Sequence, residues 1–594
     1  MKKYIIFSLL VFASSALGWS QYIVKTPTDL ESLKKLPQEK IYIDHTGPLV
    51  FAGEYLYYAL YCFNAQTNKR TSISRLAYVA LVNEEKEYIF EHKLRMSKGL
   101  GQGDFFISAD VPSGTYKLLG YTQWMKNNGV SQVFKDDIVI VNPYLSNQSK
   151  LLSSSNTENN EKKEPEIEAS RKVDSSTISF FVDKTKYRKR EKVILSLKNY
   201  KGYLGNGAYT LKVTKKEHLG KDTFMDAMSY ADAYFNVDKQ IKQQVGDSLF
   251  LPEQRGELFY GTVTDSTGSP ASNTPVVISI PGKEFLLKFS RTDEDGNFYT
   301  YLRKDYKIST AVVQVQDKTA KYTIRKNPIG NFNLSGLSFH DYTLSLDNKE
   351  AIIARSVQNQ IENHFFQVKP DSVLQGGIID PFDGGLPETL MLDEYTRFPT
   401  FEETLVEVVA NAGYRSGGKD NDYVRVAQDF ETYNEEYNDF SSIIVIDGVF
   451  IPNHEKIRNY DARNIEKISL IRDKFRLGAV DYQGIVSVET FDGNYLEMHS
   501  YENSSVIDFK KPEPIKNYFN QRYDLEDNRY SRIPDYRSLL FWKPHIIIDK
   551  NSYEFEFFTS DVGGEYEIIL NGFTSYGKPI TLIKTFTVTG DTLN

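Results

Sequence analysis

The chain has 594 residues, which at roughly 100–200 residues per domain gives about three to five domains. With 40% hydrophobic and 25% charged residues the composition is globular rather than disordered, and 40 Tyr with 37 Phe favour β-rich architecture. A net charge of −8 and a pI near 5.7 remove any electrostatic case for binding nucleic acid.

The N-terminus reads as an export signal over residues 1–18. Lys2-Lys3 form a charged start, Tyr4 to Ala13 an apolar core, and Ala16-Leu17-Gly18 a small-residue cleavage site, with cleavage expected after Gly18. The competing reading is a membrane anchor, but the core is too short to span roughly 30 Å of hydrocarbon as a helix, and no later run reaches that length. No cysteine stands near the cleavage site to carry a lipid. Cys62 is the single cysteine, so an intramolecular disulfide is impossible, and it reads as a small buried apolar residue.

Residues 37–143 predict a β-sandwich: Ile41-Tyr42-Ile43, Tyr55 to Cys62 and Leu76 to Val82 alternate between turns at Thr46-Gly47-Pro48 and Pro112-Ser113-Gly114. Gly99 to Gly103 reads as a turn between strands. Ile41 to Asp44, Phe51 to Glu54, Gly103 to Phe105, Pro112 to Leu118 and Tyr121 to Met125 together resemble a macroglobulin MG2 domain, in the version found on exported proteins of Bacteroidota. Residues 144–175 are polar and Ser/Asn/Glu/Lys-rich, predicting a flexible linker. Residues 176–255 begin with Ile178 to Asp183 and Arg190 to Leu197, echoing Asp44 to Glu54 and suggesting a second macroglobulin-like sandwich. Asp222 to Val245 is left open between a helix and a long excursion.

Residues 256–330 carry Gly261 to Asp265, Thr274 to Ile278 and Thr292 to Phe298, and resemble the carboxypeptidase-regulatory-like (transthyretin-like) sandwich, a passive module rather than a peptidase. Asp293 and Asp295 read as turn residues around Gly296; the calcium-loop pattern they suggest is not completed. Residues 331–389 predict a β-rich segment ending in a Gly/Pro/Asp-rich joint, Gly376 to Pro387. Over 390–435 the sequence looks partly helical, with Thr400 and Glu403 spaced as a capping box.

Three β-prone runs follow: Ile443-Ile444-Val445-Ile446 into an Asp447-Gly448 turn, Ile465 to Ile471, and Gly484 leading into Ile485 to Val488. Their order and spacing over 390–500 resemble the plug domain of TonB-dependent outer-membrane receptors. Leu477 to Gly484 replaces that family's usual approach to its last strand. Only 99 residues follow Tyr495, far short of the roughly 200 strand residues that a 22-stranded barrel needs. Residues 530–594 instead predict a closing β-sandwich, with Tyr553, Phe555 and Phe557 alternating into a hairpin at Gly563-Gly564. Trp542 reads as a core indole against an exposed binding platform. The expected fold class is mainly β: serial β-sandwich domains, macroglobulin-like and transthyretin-like, plus one small α+β plug-like domain.

Catalytic chemistry is not visible. There is no G-x-S-x-G elbow, phosphate loop or macroglobulin thioester, since Cys62 is followed by Phe63-Asn64-Ala65. His45, His92, His218, His340, His364, His454, His499 and His545 stand singly, outside any compact zinc pattern. The pairs Glu84-Glu85 and Glu402-Glu403 read as solvated charge and helix-start charge. The expectation is a protein without catalytic, metal or cofactor residues, exported to the outer-membrane region and docking to an envelope protein complex. The alternatives are an extracellular hydrolase or carbohydrate-binding protein, needing two acids, or an acid and a histidine, that converge, or an exposed aromatic row with Trp124, Trp542 and the many tyrosines as candidates, and a non-covalent protease inhibitor.

Overall fold

The computed structural model describes residues 22–590 except 149–150, 152–175, 217–218, 220–224, 237–241, 304–305, 307, 317–319, 328–332, 341, 345–347, 375–379, 383–384, 386, 418–421, 478–479, 500–501 and 527–529. The expected signal segment, nearly all of the expected linker and most of the Gly376 to Pro387 joint lie outside the described residues. The fold is mainly β and divides into two compact units, one of 22–254, 331–375 and 512–590, the other of 255–330 and 376–511.

The larger unit contains two sandwiches. In the first, a three-stranded sheet of Glu39–His45, Tyr55–Asn64 and Leu100–Phe106 faces a five-stranded sheet ordered Leu49–Phe51, Phe134–Val141, Gly114–Tyr121, Leu76–Val82 and Tyr88–Arg95. Leu100–Phe106 corrects the turn expected at Gly99 to Gly103. A Cβ on Gly103 would sit 2.5 Å from the Tyr58 hydroxyl, so these glycines keep the strand flat beneath an aromatic ring. All seven residues of Glu39–His45 are buried, because its second face is also covered. Tyr42 lies 5.1 Å from Tyr230 and 5.4 Å from Phe573, ring centre to ring centre. Tyr230 belongs to a helix, Ala227–Tyr234, started by Asp226, whose side chain accepts from the Ser229 N–H.

The second sandwich corrects two expectations. Residues 176–255 and 530–594 do not make separate modules; their strands interleave. One sheet is Ile178–Val182, Lys192–Asn199 and Ser552–Phe558. The other is ordered Lys186–Tyr187, Pro579–Val588, Gly564–Thr574, Gly207–Lys215 and Leu539–Ile548. Neither stretch has enough strands to cover its own apolar face, so each takes its partners from the other. The hairpin expected at Gly563-Gly564 is likewise a crossover. Ser552–Phe558 pairs with Lys192–Asn199, and Gly564–Thr574 turns instead into Pro579–Val588.

Polar bonds join the two sandwiches. Lys212 Nζ donates to Asp44 Oδ1 at 2.9 Å and to the His45 carbonyl at 2.6 Å, and the Tyr61 hydroxyl meets Thr210 Oγ1 at 2.7 Å. His545, in the left-handed region at φ 55°, donates from Nε2 to the Gly101 carbonyl at 2.7 Å, while its buried Nδ1 has no partner. Burial holds this imidazole down at about 4, helped by the Arg70 charge and opposed by the Gly101 bond. Such a ring stays neutral in the fold and takes a proton once unfolded. Its stabilisation is therefore full above the unfolded value of about 6.5 and is lost as the pH falls towards about 4, amounting to about 3 kcal/mol. Urea titrations between pH 4 and 7 should show that slope, and His545→Asn, which tolerates the left-handed backbone, should flatten it.

Residues 331–389 also depart from expectation. Among their described residues the main element is a helix, Lys349–His364, rather than a β-rich segment. Its inward face is polar: Ser356 and Asn359 are buried, Arg355 pairs bidentately with Glu54 at 2.8 Å, and Asn363 donates to the Gly53 carbonyl. Ile353 and Val357 point outward, 53% and 50% exposed, so an apolar-inside pattern could not reveal the helix.

In the smaller unit a sandwich pairs Asn297–Leu302, Glu257–Asp265 and Tyr322–Lys326 against Leu286–Arg291, Pro275–Ile280, Thr310–Val315 and Ser504–Asp508. The last strand arrives from beyond the α+β region. Asp293 does turn work: its Oδ1 accepts the N–H groups of Asp295 and Asn297 at 3.0 and 2.9 Å, and Gly296 takes φ 74°. The α+β sheet is ordered Glu388–Met391, Ile465–Leu477, Val480–Thr490, Ile443–Ile446 and Val449–Phe450. Ile443–Ile446 runs parallel to Val480–Thr490, and the helix Phe401–Glu407 starts with the Thr400–Glu403 capping box. Among the described residues of 390–435 the α-helix is that one segment of about two turns; Ala412–Arg415 and Tyr423–Val426 then form a hairpin, narrower helical content than 390–435 suggested.

The Asp447-Gly448 turn fastens the sheet to the sandwich of the same unit. The Asp447 carboxylate accepts from the Thr490 N–H at 2.8 Å, the Thr490 hydroxyl at 2.6 Å and the Tyr495 N–H at 3.1 Å. The Asp447 carbonyl accepts from Gly282 N–H, and a side chain on Gly448, at φ 81°, would collide with Phe285. Val277 and Phe285 of the sandwich share a core with Val445, Phe450 and Ile485.

Candidate interaction surface

Cys62 and most of the described histidines make structural contacts. Cys62 is fully buried, and burial beside Glu39 pushes its thiol well up, the opposite of an activated nucleophile. Its Sγ donates to Glu39, whose carboxyl is itself raised by burial although Ser74 and Thr122 also donate to it. The histidines are dispersed. His45 faces Asp136 at 3.0 Å, His92 the Tyr58 hydroxyl at 2.6 Å, and His340 Asp137 at 2.7 Å. His454 Nδ1 accepts from the Val424 N–H, and His499 stacks 4.2 Å from Tyr495. His364 is exposed and His218 lies outside the described residues. Among the described residues no group of three His, Cys, Asp or Glu side chains converges as a metal site would.

The tryptophan candidates for an aromatic platform are both buried. Trp124 is wholly inside, its indole donating to the Pro37 carbonyl, and Trp542 packs 6.2 Å from Tyr57. That removes them from the carbohydrate-binding reading. A cleft of about 460 Å³ in the first sandwich is lined by Pro112, Tyr116 and Leu145 with Glu84 and Glu85. Those two acids come from one turn, whereas carboxylate catalysis sets its acids on opposite sides of a scissile bond. Glu402, expected as helix-start charge, also accepts both ends of Arg458 at 2.8 Å.

The α+β region offers a different kind of site, the loop of residues 427–441 between Tyr423–Val426 and Ile443–Ile446. Its backbone is held from within. Gln428 Nε2 donates to the Asn434 carbonyl at 2.8 Å and to Asn438 Oδ1 at 3.0 Å, and Gln428 Oε1 accepts from the Asn434 N–H at 2.8 Å. Asn434 caps a short 3₁₀ turn, Glu435–Tyr437, and Asn438 Nδ2 donates to the Tyr433 hydroxyl at 2.7 Å. From the sheet below, Arg472 donates to the carbonyls of Ala427 and Gln428, and the Lys474 ammonium lies 4.4 Å from the Tyr437 ring centre.

On this ordered base the loop presents Phe430, 93% exposed, with Tyr433 at 57%. Glu431, Glu435, Glu436 and Asp439 are exposed around them. An aromatic ring left in water at the tip of a hydrogen-bonded loop, ringed by acids, contributes nothing to the core and suits an anchor for a partner. Sequence reasoning passed over it. Its signal was the run Asp429-Phe430-Glu431 and Tyr433 to Asp439, aromatic and acidic at once without an apolar period.

No protein-family model matches the chain, and no curated protein does. Among solved structures it is similar to the α-2-macroglobulin of Salmonella reacted with methylamine, at 8% identity, covering 97% of this chain and 40% of that one with a TM-score of 0.23. Trypsin-activated α-2-macroglobulin from Escherichia coli gives 8% identity, 93% and 41% coverage and a TM-score of 0.23. The E. coli adhesin FdeC gives 9%, 52% and 66%, with a TM-score of 0.13. The chain thus spans about 40% of the length of the macroglobulins it matches.

Proposed function

We propose that this chain is a non-enzymatic, exported scaffold or binding protein of the outer-membrane region, which docks to an envelope protein complex through the 427–441 loop of its α+β region. The observation that carries the reading is Phe430, 93% exposed on a loop whose conformation is already fixed. A preordered loop loses little further entropy on binding, so the ring's burial goes into affinity. The complementary partner surface is an apolar pocket rimmed by Lys or Arg, because Glu431, Glu435, Glu436 and Asp439 would repel an acidic one. The resemblance of 390–500 to receptor plugs, a domain whose sheet and loops work inside an outer-membrane protein, supports such a partner. The sandwiches act as spacers that carry this module.

Crosslinking from a photoreactive residue at position 430 in cells, followed by affinity purification, is the direct test. It should recover an envelope protein, and Phe430→Ala should weaken its binding by about thirtyfold or more, the range of an interface hot spot. Replacing Glu435 and Glu436 by Lys should slow association without changing dissociation much. Recovery of the chain alone, or of the same protein in equal amount from Phe430→Ala, would overturn the proposal.

A further inference from the structure

A second surface, in the larger unit, is independent of that docking loop. At one end of the interleaved sandwich the connection between Lys192–Asn199 and Gly207–Lys215 forms a stiff projecting turn. The buried Asn199 organises it: Nδ2 donates to the Gly202 carbonyl at 2.9 Å and to Asn206 Oδ1 at 3.2 Å, and Oδ1 accepts from the Lys201 N–H at 3.2 Å. Gly202 takes φ 53°, and a side chain on Gly205 would collide with Asn199. Neighbouring segments brace it, Tyr200 N–H donating to the Thr177 carbonyl, Asn199 N–H to that of Asn551, and Ser575 N–H to that of Asn206.

What the turn holds out is apolar. Tyr203 is 83% exposed, Leu204 60% and Tyr200 57%. Among the described residues of these braced segments the charges are of one sign with a single exception. Lys198, Lys201, Lys550 and Lys578 are all exposed on these braced segments, against Asp549, whose carboxylate accepts the Tyr553 hydroxyl. On the strand beside Lys192–Asn199, Phe181, 46% exposed, has the ammonium groups of Lys198 and Lys584 at 5.8 and 5.6 Å from its ring centre. In a chain of net charge −8 this is a local reversal.

We infer that this end of the sandwich docks on an anionic lipid bilayer, with Tyr203 and Leu204 entering the headgroup boundary and the surrounding lysines meeting lipid phosphates. The turn is convex and rigid, so it suits insertion into a yielding interface, where amphipathic Tyr rings concentrate. Lysines close to an anionic surface add attraction that decays within a Debye length. Neither part alone suffices, since stable attachment takes an apolar and an electrostatic contribution together.

The test uses the full chain with vesicles of phosphatidylcholine, with and without phosphatidylglycerol. The chain should co-sediment with the phosphatidylglycerol vesicles, weakly with phosphatidylcholine alone, and less at high salt. Tyr203→Ser combined with Leu204→Ser should weaken binding by about a hundredfold, roughly tenfold per side chain. Lys201→Glu should weaken it by about fivefold or more, and provides a second variant should the double one disturb the turn. In Tyr203→Trp, indole fluorescence should shift to the blue on adding phosphatidylglycerol vesicles. Equal binding to both vesicle types, unchanged binding of the variants, or absence of the blue shift would overturn the inference. So would displacement by free glycerol phosphate, which would indicate a headgroup pocket, or binding to an acidic protein in place of vesicles.

Discussion

Lys212→Met should lower the stability of the larger unit by about 3–5 kcal/mol, because it leaves the carboxylate of Asp44 buried without its cation. Both side chains are out of water, at 2% and 0% exposure. Asp44 Oδ2 has no hydrogen-bond partner, so its charge leans on Oδ1, which accepts from Lys212 at 2.9 Å and from Asn571 at 3.5 Å. Asp44 sits in one sandwich and Lys212 in the other, and the change should therefore open the seam between them. Adding Asp44→Asn to Lys212→Met should recover much of the loss, since the uncompensated charge goes too. Urea unfolding of the three variants measures it. A loss below about 1 kcal/mol, as for a surface pair, would mean that the seam is hydrated.

Arg537→Met should cost about 3 kcal/mol by the same reasoning at a second buried pair of the unit. Asp535, 1% exposed, receives Arg537 bidentately at 2.7 Å from Nε and Nη2, and the Tyr523 hydroxyl at 2.7 Å. Around it Arg190 grips Asp561 at 2.7 and 2.6 Å, while Lys369 reaches Glu362 of the helix Lys349–His364 at 2.8 Å. Burial by itself would raise the Asp535 carboxyl, but the Arg537 charge and hydrogen bonds, with Lys369 and Tyr523, bring it below its ordinary value. A carboxylate depressed in the fold stabilises fully above its unfolded value of about 4 and loses that contribution as the pH falls through the lower folded value. Stability profiles of the parent and Arg537→Met should converge below about pH 4 and differ most near neutrality.

Local chemistry was legible. The Thr400–Glu403 box, the Asp293 turn and the Asp447-Gly448 turn all formed where the residues indicate, since caps and tight turns are decided by atoms three or four residues apart. The runs Ile443–Ile446, Ile465 to Ile471 and Ile485 to Val488 lie in strands for a similar reason, although two of those strands run on to Leu477 and start at Val480: alternating or fully apolar β-branched residues suit a pleated surface with a covered face. Asp447 carried more than its turn suggested, because Thr490 and Tyr495, distant in sequence, bring donors to its carboxylate.

The candidate site was poorly legible for the opposite reason. Phe430 reads as one apolar residue in a polar stretch, and only the bonds of Gln428, Asn434 and Asn438 decide that it is held in water rather than folded inward. The same holds for Tyr203, which nothing local separates from the buried Tyr209 six residues on.

By itself, then, the sequence determined the β character, the caps and turns and the short strands, because each depends on neighbours along the chain. The tertiary structure decided which strands share a sheet. Lys192–Asn199 finds Ser552–Phe558, and Thr310–Val315 finds Ser504–Asp508, across separations over which periodicity carries no information. Loop-closure entropy grows only slowly with such separations, so a distant strand with the right apolar face competes well with a near one lacking it. The same tertiary choice turned the polar face of Lys349–His364 inward, where Glu54 waits for Arg355 and Asn359, and left Ile353, Val357, Tyr203 and Phe430 facing water.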